Sequence, residues 1–463
     1  MNTSGKPRVA VIGAGLSGLG VAWLLDREGI DVTVLERAGR VGGAVLTRQT
    51  DGFLHEAGPN SMMLKSATGE AFLERLGLMD DVVDANPEAT KRFLLKNGQV
   101  MAMPMGGGAA IRTPLYSWRA KLRLLREPWV RPAPPDADES VASFVTRRMG
   151  PEFLDYGIAA LVSGIYAGDP EALSIRHAFP KVWQLEARYG SLIGGAIKMS
   201  RERKRSGEQR YKSRLLSFTN GMETLTRQLA DTTGARILTD TEVSSIGRGD
   251  GRWQIGWRQG ETTGQESVDA VVAAVPGHAI AKLPWPEPVA EACNSLPALK
   301  FPPVTTLMLG YRREQVAHPL DGFGMLIPFV EGRRALGVIF SSTLFPGRAP
   351  DGHVSLMVFL GGARMPECAR EDLESAVALA EGELRGLLGI TGSPVIARHY
   401  HWPMAIPQYN VGHGDFLAAL DDVEQHSPGL HFCANFRGGP GVCDCLDSAL
   451  VVSDRIRAGL ERG

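Results

Sequence analysis

Three glycines near the start of the chain, Gly13, Gly15 and Gly18, stand at G-x-G-x-x-G spacing directly after the apolar run Val9-Ala-Val-Ile12. The first permits a tight turn, the second lets backbone approach a pyrophosphate, and the third lets a helix pack on a strand. The chemistry is anion binding, because the first N–H groups of a helix lack intrahelical partners and lie at the positive end of its dipole. Eighteen residues beyond Gly18, Glu36 closes a second apolar run, Val32-Thr-Val-Leu35. A carboxylate there accepts hydrogen bonds from a ribose diol and disfavours a phosphorylated ribose. The implied ligand is an unphosphorylated dinucleotide.

Stepping from these residues to what must carry them, the pattern predicts a strand, a tight turn, an amphipathic helix through Leu25 and a second parallel strand. Lys6 and Arg8 ahead of an apolar run also fit a signal peptide. Against that, Asp26-Arg27-Glu28 follow with no small-residue cleavage site, and the glycines are in register for a nucleotide turn. Beyond the second strand, Arg40-Val-Gly-Gly43 offers backbone N–H groups and a cation to the other half of a long dinucleotide, which favours FAD over NAD. Gly58 and Pro59 in Glu56-Ala-Gly-Pro-Asn60 force a bend. It is either an ordinary hairpin turn or the backbone beside an isoalloxazine.

The 463 residues exceed one ordinary core and predict two or three domains. With 50 basic and 51 acidic residues there is no global charge to attract nucleic acid, and no nucleic-acid partner is expected. Cys293, Cys368, Cys433, Cys443 and Cys445 are odd in number and scattered, which suits a reducing compartment. Cys443 and Cys445 lack the C-x-x-C spacing of a metal site, so no metal is expected. No further apolar segment reaches the roughly twenty residues a membrane span needs.

Lys91 to Pro104 reads as a hairpin turning at Asn97-Gly98, with Lys91 and Arg92 guarding the first strand's edge. From Ile111 to Arg131, Arg112, Arg119, Lys121, Arg123 and Arg126 interleave with Trp118, Leu122, Leu124, Leu125 and Trp129. This is either an interfacial helix on anionic lipid or a surface helix packed on its own domain, ended by Pro132, Pro134 and Pro135. Asp138 to Gly207 looks mostly helical, and the basic run Lys198 to Arg205 reads as a solvated loop. Glu242–Ile246, Trp253–Trp257 and Ala270–Val275 are expected to complete the first sheet, making the nucleotide domain discontinuous. Four strands between Val304 and Phe359, a helix from about Glu371 to Leu388 and a strand from Val395 to His401 predict a second sheet. At the tail, Gly429 to Asn435, a glycine-rich turn and a helix repeat the strand-turn-helix logic of the start.

Six stretches carry a family resemblance: Val162-Ser-Gly-Ile-Tyr-Ala-Gly-Asp-Pro170, Phe179-Pro-Lys-Val-Trp183, Gly190-Ser-Leu-Ile-Gly-Gly195, Ser341-Ser-Thr-Leu-Phe-Pro346, Ile406-Pro-Gln-Tyr409 with Gly412-His413, and Gly439-Pro-Gly-Val-Cys-Asp-Cys445. They resemble the flavin amine oxidase superfamily and, within it, the protoporphyrinogen oxidases, across essentially the whole chain. The resemblance implies an α/β fold: a Rossmann-like FAD domain of the p-hydroxybenzoate-hydroxylase type, a mixed-sheet substrate domain and a helical membrane-binding domain. The expected boundaries are 1–64, 210–280 and 415–463 for the first, 65–106 and 281–414 for the second, and 107–209 for the third. It further implies six-electron oxidation of protoporphyrinogen IX with oxygen as acceptor. The protein is then expected in the cytoplasm at the inner face of the membrane, held peripherally, with a homodimer possible.

By the same resemblance, non-covalent FAD would contact Gly13, Gly15, Leu16, Ser17, Gly18, Glu36, Arg37, Arg40, Gly42, Gly43, Ala44, Gly58, Pro59, Asn60, Val243, Ala274, Trp402, Asn435, Gly439, Gly441 and Val442. Arg92 would bind a substrate propionate, Leu326, Leu336 and Phe345 would form an apolar wall, and the Ala167 and Gly168 backbone would lie at the reacting carbon. Departures from the family occur at Ala434-Asn435, where relatives have Gly-Asn, and at Arg437 and Pro440, expected beside the flavin. The rival enzyme reading is a coproporphyrinogen III oxidase, whose substrate carries four propionates and calls for more cations. An amine oxidase fits less well, because Trp402 to Tyr409 departs from the aromatic pattern of that group. From a different class, the chain could bind flavin or porphyrin without catalysis.

Overall fold

The structure is a computed structural model describing residues 6–104, 109, 112–134, 136–207 and 211–462. Ile111 and Pro135, which bound the basic-aromatic segment in the sequence reading, lie outside the described residues. Five parallel strands form the first sheet, in the order Arg236–Leu238, Asp31–Leu35, Arg8–Ile12, Ala270–Ala273 and Leu430–Phe432. Its strands are almost wholly apolar because both faces are covered. Val9 and Val11 face a core containing the helices Leu16–Arg27 and Val442–Leu460, whereas Ala10 and Ile12 face Trp253, Trp257 and Phe416. Phe72, Leu73, Leu76 and Leu78 also pack in the first of these cores.

The expectation that Glu242–Ile246 and Trp253–Trp257 extend this sheet is corrected. Thr241–Gly249, Arg252–Gln259 and Thr262–Val268 form a separate antiparallel sheet of three strands, and only Ala270–Ala273 joins the parallel one. Alternation explains it: Trp253, Ile255 and Trp257 point inward while Arg252, Gln254 and Arg258 are more exposed, as suits a sheet laid flat on another layer.

A seven-stranded sheet runs Ile396–Trp402, Val304–Arg312, His353–Gly361, Ala335–Phe340, Gly322–Leu326, Lys91–Lys96, Gln99–Ala102. All pairs are antiparallel except Gly322–Leu326 with Lys91–Lys96. Phe93, Leu307, Leu309, Val338, Leu356 and Val358 face the helix Leu373–Leu388. By alternation, Arg92, Leu94, Leu326, Ile339 and Phe359 occupy the other face, toward the rest of the molecule.

A helical layer includes Trp118–Leu125, Val141–Arg148, Ala159–Tyr166, Pro180–Tyr189 and Leu192–Ser206. Lys198 to Arg205 is therefore helix, not loop. The Ser191 side chain caps the start by accepting from Gly194 N–H, Gly207 ends it at φ 68°, and nothing between breaks it. Among the described residues no helix is long and apolar enough to cross a membrane.

Candidate active site between two glycine turns and a sheet face

The first turn is built by close approach. A Cβ at Gly18 would stand 2.0 Å from the Gly13 carbonyl oxygen, and one at Gly13 would stand 2.6 Å from the Ala274 carbonyl oxygen. Gly15, at the N-terminus of the helix that begins with Leu16 and Ser17, has nothing within 4 Å of its Cβ position. Open space before uncapped N–H groups fits a pyrophosphate. Glu36 accepts from Ala14 N–H and Ala38 N–H, each at 2.7 Å, and each oxygen retains acceptor capacity. Arg37 beside it is exposed.

The second turn is joined to the first. Gly42 donates its N–H to the Ala14 carbonyl at 2.8 Å, and the Cβ position of Gly43 is 3.1 Å from Gly15 Cα. Arg40 donates to the Val41 and Gly43 carbonyls of its own turn, at 3.0 and 2.5 Å. The bend at Gly58 to Asn60 follows, since a Cβ at Gly58 would stand 1.8 Å from the Ala44 carbonyl oxygen. Trp402 Nε1 and Thr306 Oγ1 both donate to the Ala57 carbonyl, at 2.6 and 3.1 Å, pinning the bend to the seven-stranded sheet. Val243 lies two residues beyond Thr241, which bonds the Glu36 carbonyl.

At the far end of the chain, Gly439 has φ 135° and Gly441 caps the helix that opens with Val442. This helix lies beside the first: the Cβ position of Gly20 is 3.0 Å from Ala449 Cβ, and Leu16, Leu19, Cys445 and Leu446 share one core. Two helix N-termini thus approach one region. Arg437, in the loop that precedes the helix Val442–Leu460, is committed to carboxylates. Its guanidinium holds Glu424 at 3.0 Å and Asp421 at 2.9 Å.

The predicted substrate residues fall into two groups. Arg92 is exposed, with its guanidinium 5.6 Å from the Phe323 ring centre, and Phe323 packs on the cluster containing Phe345. Phe345 also shares a recess with Asn60, Ser341 and Arg348. In the other group, Ala167, Gly168 and Leu336 line a second recess with Ser163 and Arg364. Leu326 packs with Leu94 and against the Gly164 backbone. Ala167 ends the helix Ala159–Tyr166 at φ 47°, a left-handed conformation uncommon for alanine.

Burial dominates the electrostatics. It pushes His55 down to about 4, with Arg48 and Arg398 adding to the effect, and Glu56 up to about 7. Hydrogen bonds to Glu56 from Thr47 and Met222, and nearby Arg348, act in the opposite sense. Sequence reading missed Gln408, Tyr409 and His413 as positioning groups. Their run, Pro407-Gln-Tyr409 with His413, was visible, but its partners lie far off in the chain.

The family described as flavin containing amine oxidoreductase matches residues 16–457. The chain belongs to this family and is an FAD-dependent oxidoreductase. It is 32% identical to protoporphyrinogen oxidase 2, chloroplastic/mitochondrial, of Arabidopsis thaliana, over 99% of this chain and 95% of that one. It is 26% identical to coproporphyrinogen III oxidase of Bacillus subtilis, over 98% and 99% respectively. The crystal structure of a provisionally assigned protoporphyrinogen oxidase from Exiguobacterium sp. 255-15 shares the fold. Its TM-score is 0.81 at 24% identity, covering 99% of this chain and all of the other.

Proposed function

We propose that this chain oxidises protoporphyrinogen IX to protoporphyrin IX in porphyrin biosynthesis, with oxygen as acceptor and peroxide as by-product. The observation that carries the reading is the isolation of Arg92. Its neighbours on and around the same sheet face are paired, Lys91 with Asp321, Lys96 with Glu152 and Arg364 with Asp169. Arg92 has no carboxylate partner among the described residues and sits beside apolar Phe323, which packs on the cluster containing Phe345. That suits a largely apolar macrocycle with two propionates better than one with four, and the higher identity to the plant relative favours the same choice.

FAD, held by the glycine turns, supplies a hydride acceptor. Arg92 then orients the macrocycle by a charge-assisted contact to a propionate. Leu326, Leu336 and Phe345 exclude water, and the Ala167 and Gly168 backbone lies against the reacting methylene. Little acid–base chemistry is asked of side chains. The sequence division into a nucleotide domain, a substrate domain and a helical domain at 107–209 is retained as part of the proposal.

The helical part is proposed to rest on a membrane, at its cytoplasmic face. Trp118, Leu122, Leu125 and Trp129 are 68, 60, 65 and 82% exposed, a costly arrangement in water, and cations flank them. The enzyme reading is tested by admitting air to the FAD-loaded protein with anaerobic protoporphyrinogen and, in parallel, coproporphyrinogen. Growth of porphyrin fluorescence with stoichiometric peroxide from the first substrate is expected. Faster oxidation of the second would give the function to the rival, and oxidation of neither would leave a flavin-binding protein.

A further inference from the structure

Two adjacent residues reach to opposite sides of the candidate site. Gln408 is buried, and its Nε2 donates to the Tyr166 carbonyl at 2.9 Å, immediately before the Ala167–Gly168 turn. Its Oε1 is buried without a hydrogen-bond partner and lies 2.5 Å from the Cβ position of Gly168. Tyr409, also buried, donates its hydroxyl hydrogen to the Asn435 carbonyl at 2.6 Å and accepts from Gly439 N–H at 3.1 Å. The Tyr409 ring is stacked on His413 at 4.1 Å between centroids, and His413 Nε2 lies 3.0 Å from the Phe436 carbonyl oxygen.

We propose that Gln408 and Tyr409 form a crossbar that fixes the substrate-side turn at Ala167–Gly168 relative to the flavin-side turn at Asn435–Gly439. Both are positioning residues. The crossbar is itself anchored, since Gln408 N–H donates to the Lys300 carbonyl at 2.9 Å and the Tyr409 carbonyl accepts from Ser174 N–H at 2.8 Å. Its two arms are the side chains of consecutive residues, one bonded to the Tyr166 carbonyl and the other to Asn435 and Gly439, so the backbone couples them directly. A shift of either turn is therefore resisted by the other.

The turn at Ala167 needs such support. Ala363 N–H donates to the Ala167 carbonyl at 2.8 Å, and Arg364 holds Asp169 at 3.1 Å, so two separate segments, 363–364 and the one carrying Gln408, hold the turn at a left-handed alanine. Over-determination of this kind is what keeps an unfavourable backbone conformation in place. The Tyr409 hydroxyl has the matching task at the other turn, where it satisfies one carbonyl and one N–H of a glycine-rich loop that could otherwise relax.

This inference rests on the FAD-linked reading of the two turns, and its test separates the two. Hydrogen–deuterium exchange is measured on FAD-loaded wild type, Gln408→Leu and Tyr409→Phe, alongside FAD affinity and, where turnover exists, KM and kcat. Gln408→Leu is expected to raise exchange across 163–170 and to leave FAD affinity within twofold, with kcat falling more than KM changes. Tyr409→Phe is expected to raise exchange across 435–441, weaken FAD by roughly three- to tenfold and alter the visible flavin band, as loss of a buried hydroxyl partner implies.

If Gln408→Leu does not fold, Gly168→Ala displaces the same pair from the other side, because its Cβ would meet Gln408 Oε1. Identical exchange in variants and wild type, or both variants loosening the same turn, would overturn the crossbar. A wild type that holds FAD but oxidises no porphyrinogen would end the proposed activity, while the exchange pattern would still decide the crossbar.

Discussion

Arg148 and Glu127 form an ion pair at 3.0 Å with neither side chain exposed to solvent. Glu127 also accepts from Ser191 Oγ, Leu192 N–H and Ile193 N–H at 2.7, 2.7 and 3.0 Å, so it caps the helix Leu192–Ser206. Arg148 reaches the carbonyls of Val130 and Gly190 at 3.2 and 2.9 Å. One buried pair thus ties together three segments of the helical layer, including the turn that carries Trp129. Arg148→Met should destabilise the protein by about 3 to 5 kcal/mol, because it strands a buried carboxylate. Urea unfolding measures this, and a loss below about 1 kcal/mol would contradict the pair's structural weight.

The exposed face on that layer makes a separate prediction. Trp118 and Trp129 are largely exposed, so replacing both with alanine should leave stability nearly unchanged. Binding to vesicles containing anionic lipid should nevertheless fall by roughly tenfold or more, given about 1.5 to 3 kcal/mol per buried aromatic side chain. Raising the salt should weaken wild-type binding as well, since the flanking cations act through a screened field. Cosedimentation that is indifferent to both changes would return this segment to an ordinary surface helix.

How much of this was legible beforehand depended on the range of the interaction. The turns at Gly13 to Gly18 and Gly42–Gly43 obey local steric rules, and the strands from Val304 to Phe359 declare themselves by apolar runs. Membership of a sheet is not local. Trp253 to Trp257 is plainly a strand, yet whether it extends the first sheet or lies across it depends on what pairs with it. The helix through Lys198 to Arg205 was hidden by its charge, although Ser191 and Gly207 mark its ends. Arg437 follows Asn435 in the same glycine-rich loop, and only the fold shows that Glu424 and Asp421, one helix earlier, take its charge. Tyr409 needed Asn435, 26 residues away, before its hydroxyl had a purpose.

The buried histidines give a pH dependence whose sign can be worked out. Burial lowers His413 from 6.5 to about 4, with His177 adding to the shift, so folding favours its neutral form. The unfolded chain takes up the proton first as pH falls, so His413's contribution is intact above pH 6.5 and is lost as pH falls toward 4. Between pH 7.5 and pH 5 the loss is about 2 kcal/mol. Glu56 runs the other way, so the wild-type curve alone is ambiguous. The difference in stability between wild type and His413→Phe cancels that opposing group. It should shift in the variant's favour by about 2 kcal/mol over this interval, and a difference independent of pH would refute the assignment.

Arg92 offers the most direct test of substrate recognition. Its backbone carbonyl accepts from Met103 N–H within the hairpin, so the strand is held without help from the guanidinium, and Arg92→Ala should fold and bind FAD normally. Loss of a charge-assisted contact worth about 1.5 to 3 kcal/mol corresponds to a KM for protoporphyrinogen raised roughly 10- to 100-fold. The chemical step involves other groups, so kcat should change little. Arg92→Lys should recover only part of the loss, because a lysine ammonium is a point charge without the planar fork that matches a carboxylate. An Arg92→Ala enzyme with wild-type KM would remove this residue from the site and, with it, the main structural reason for preferring two propionates over four.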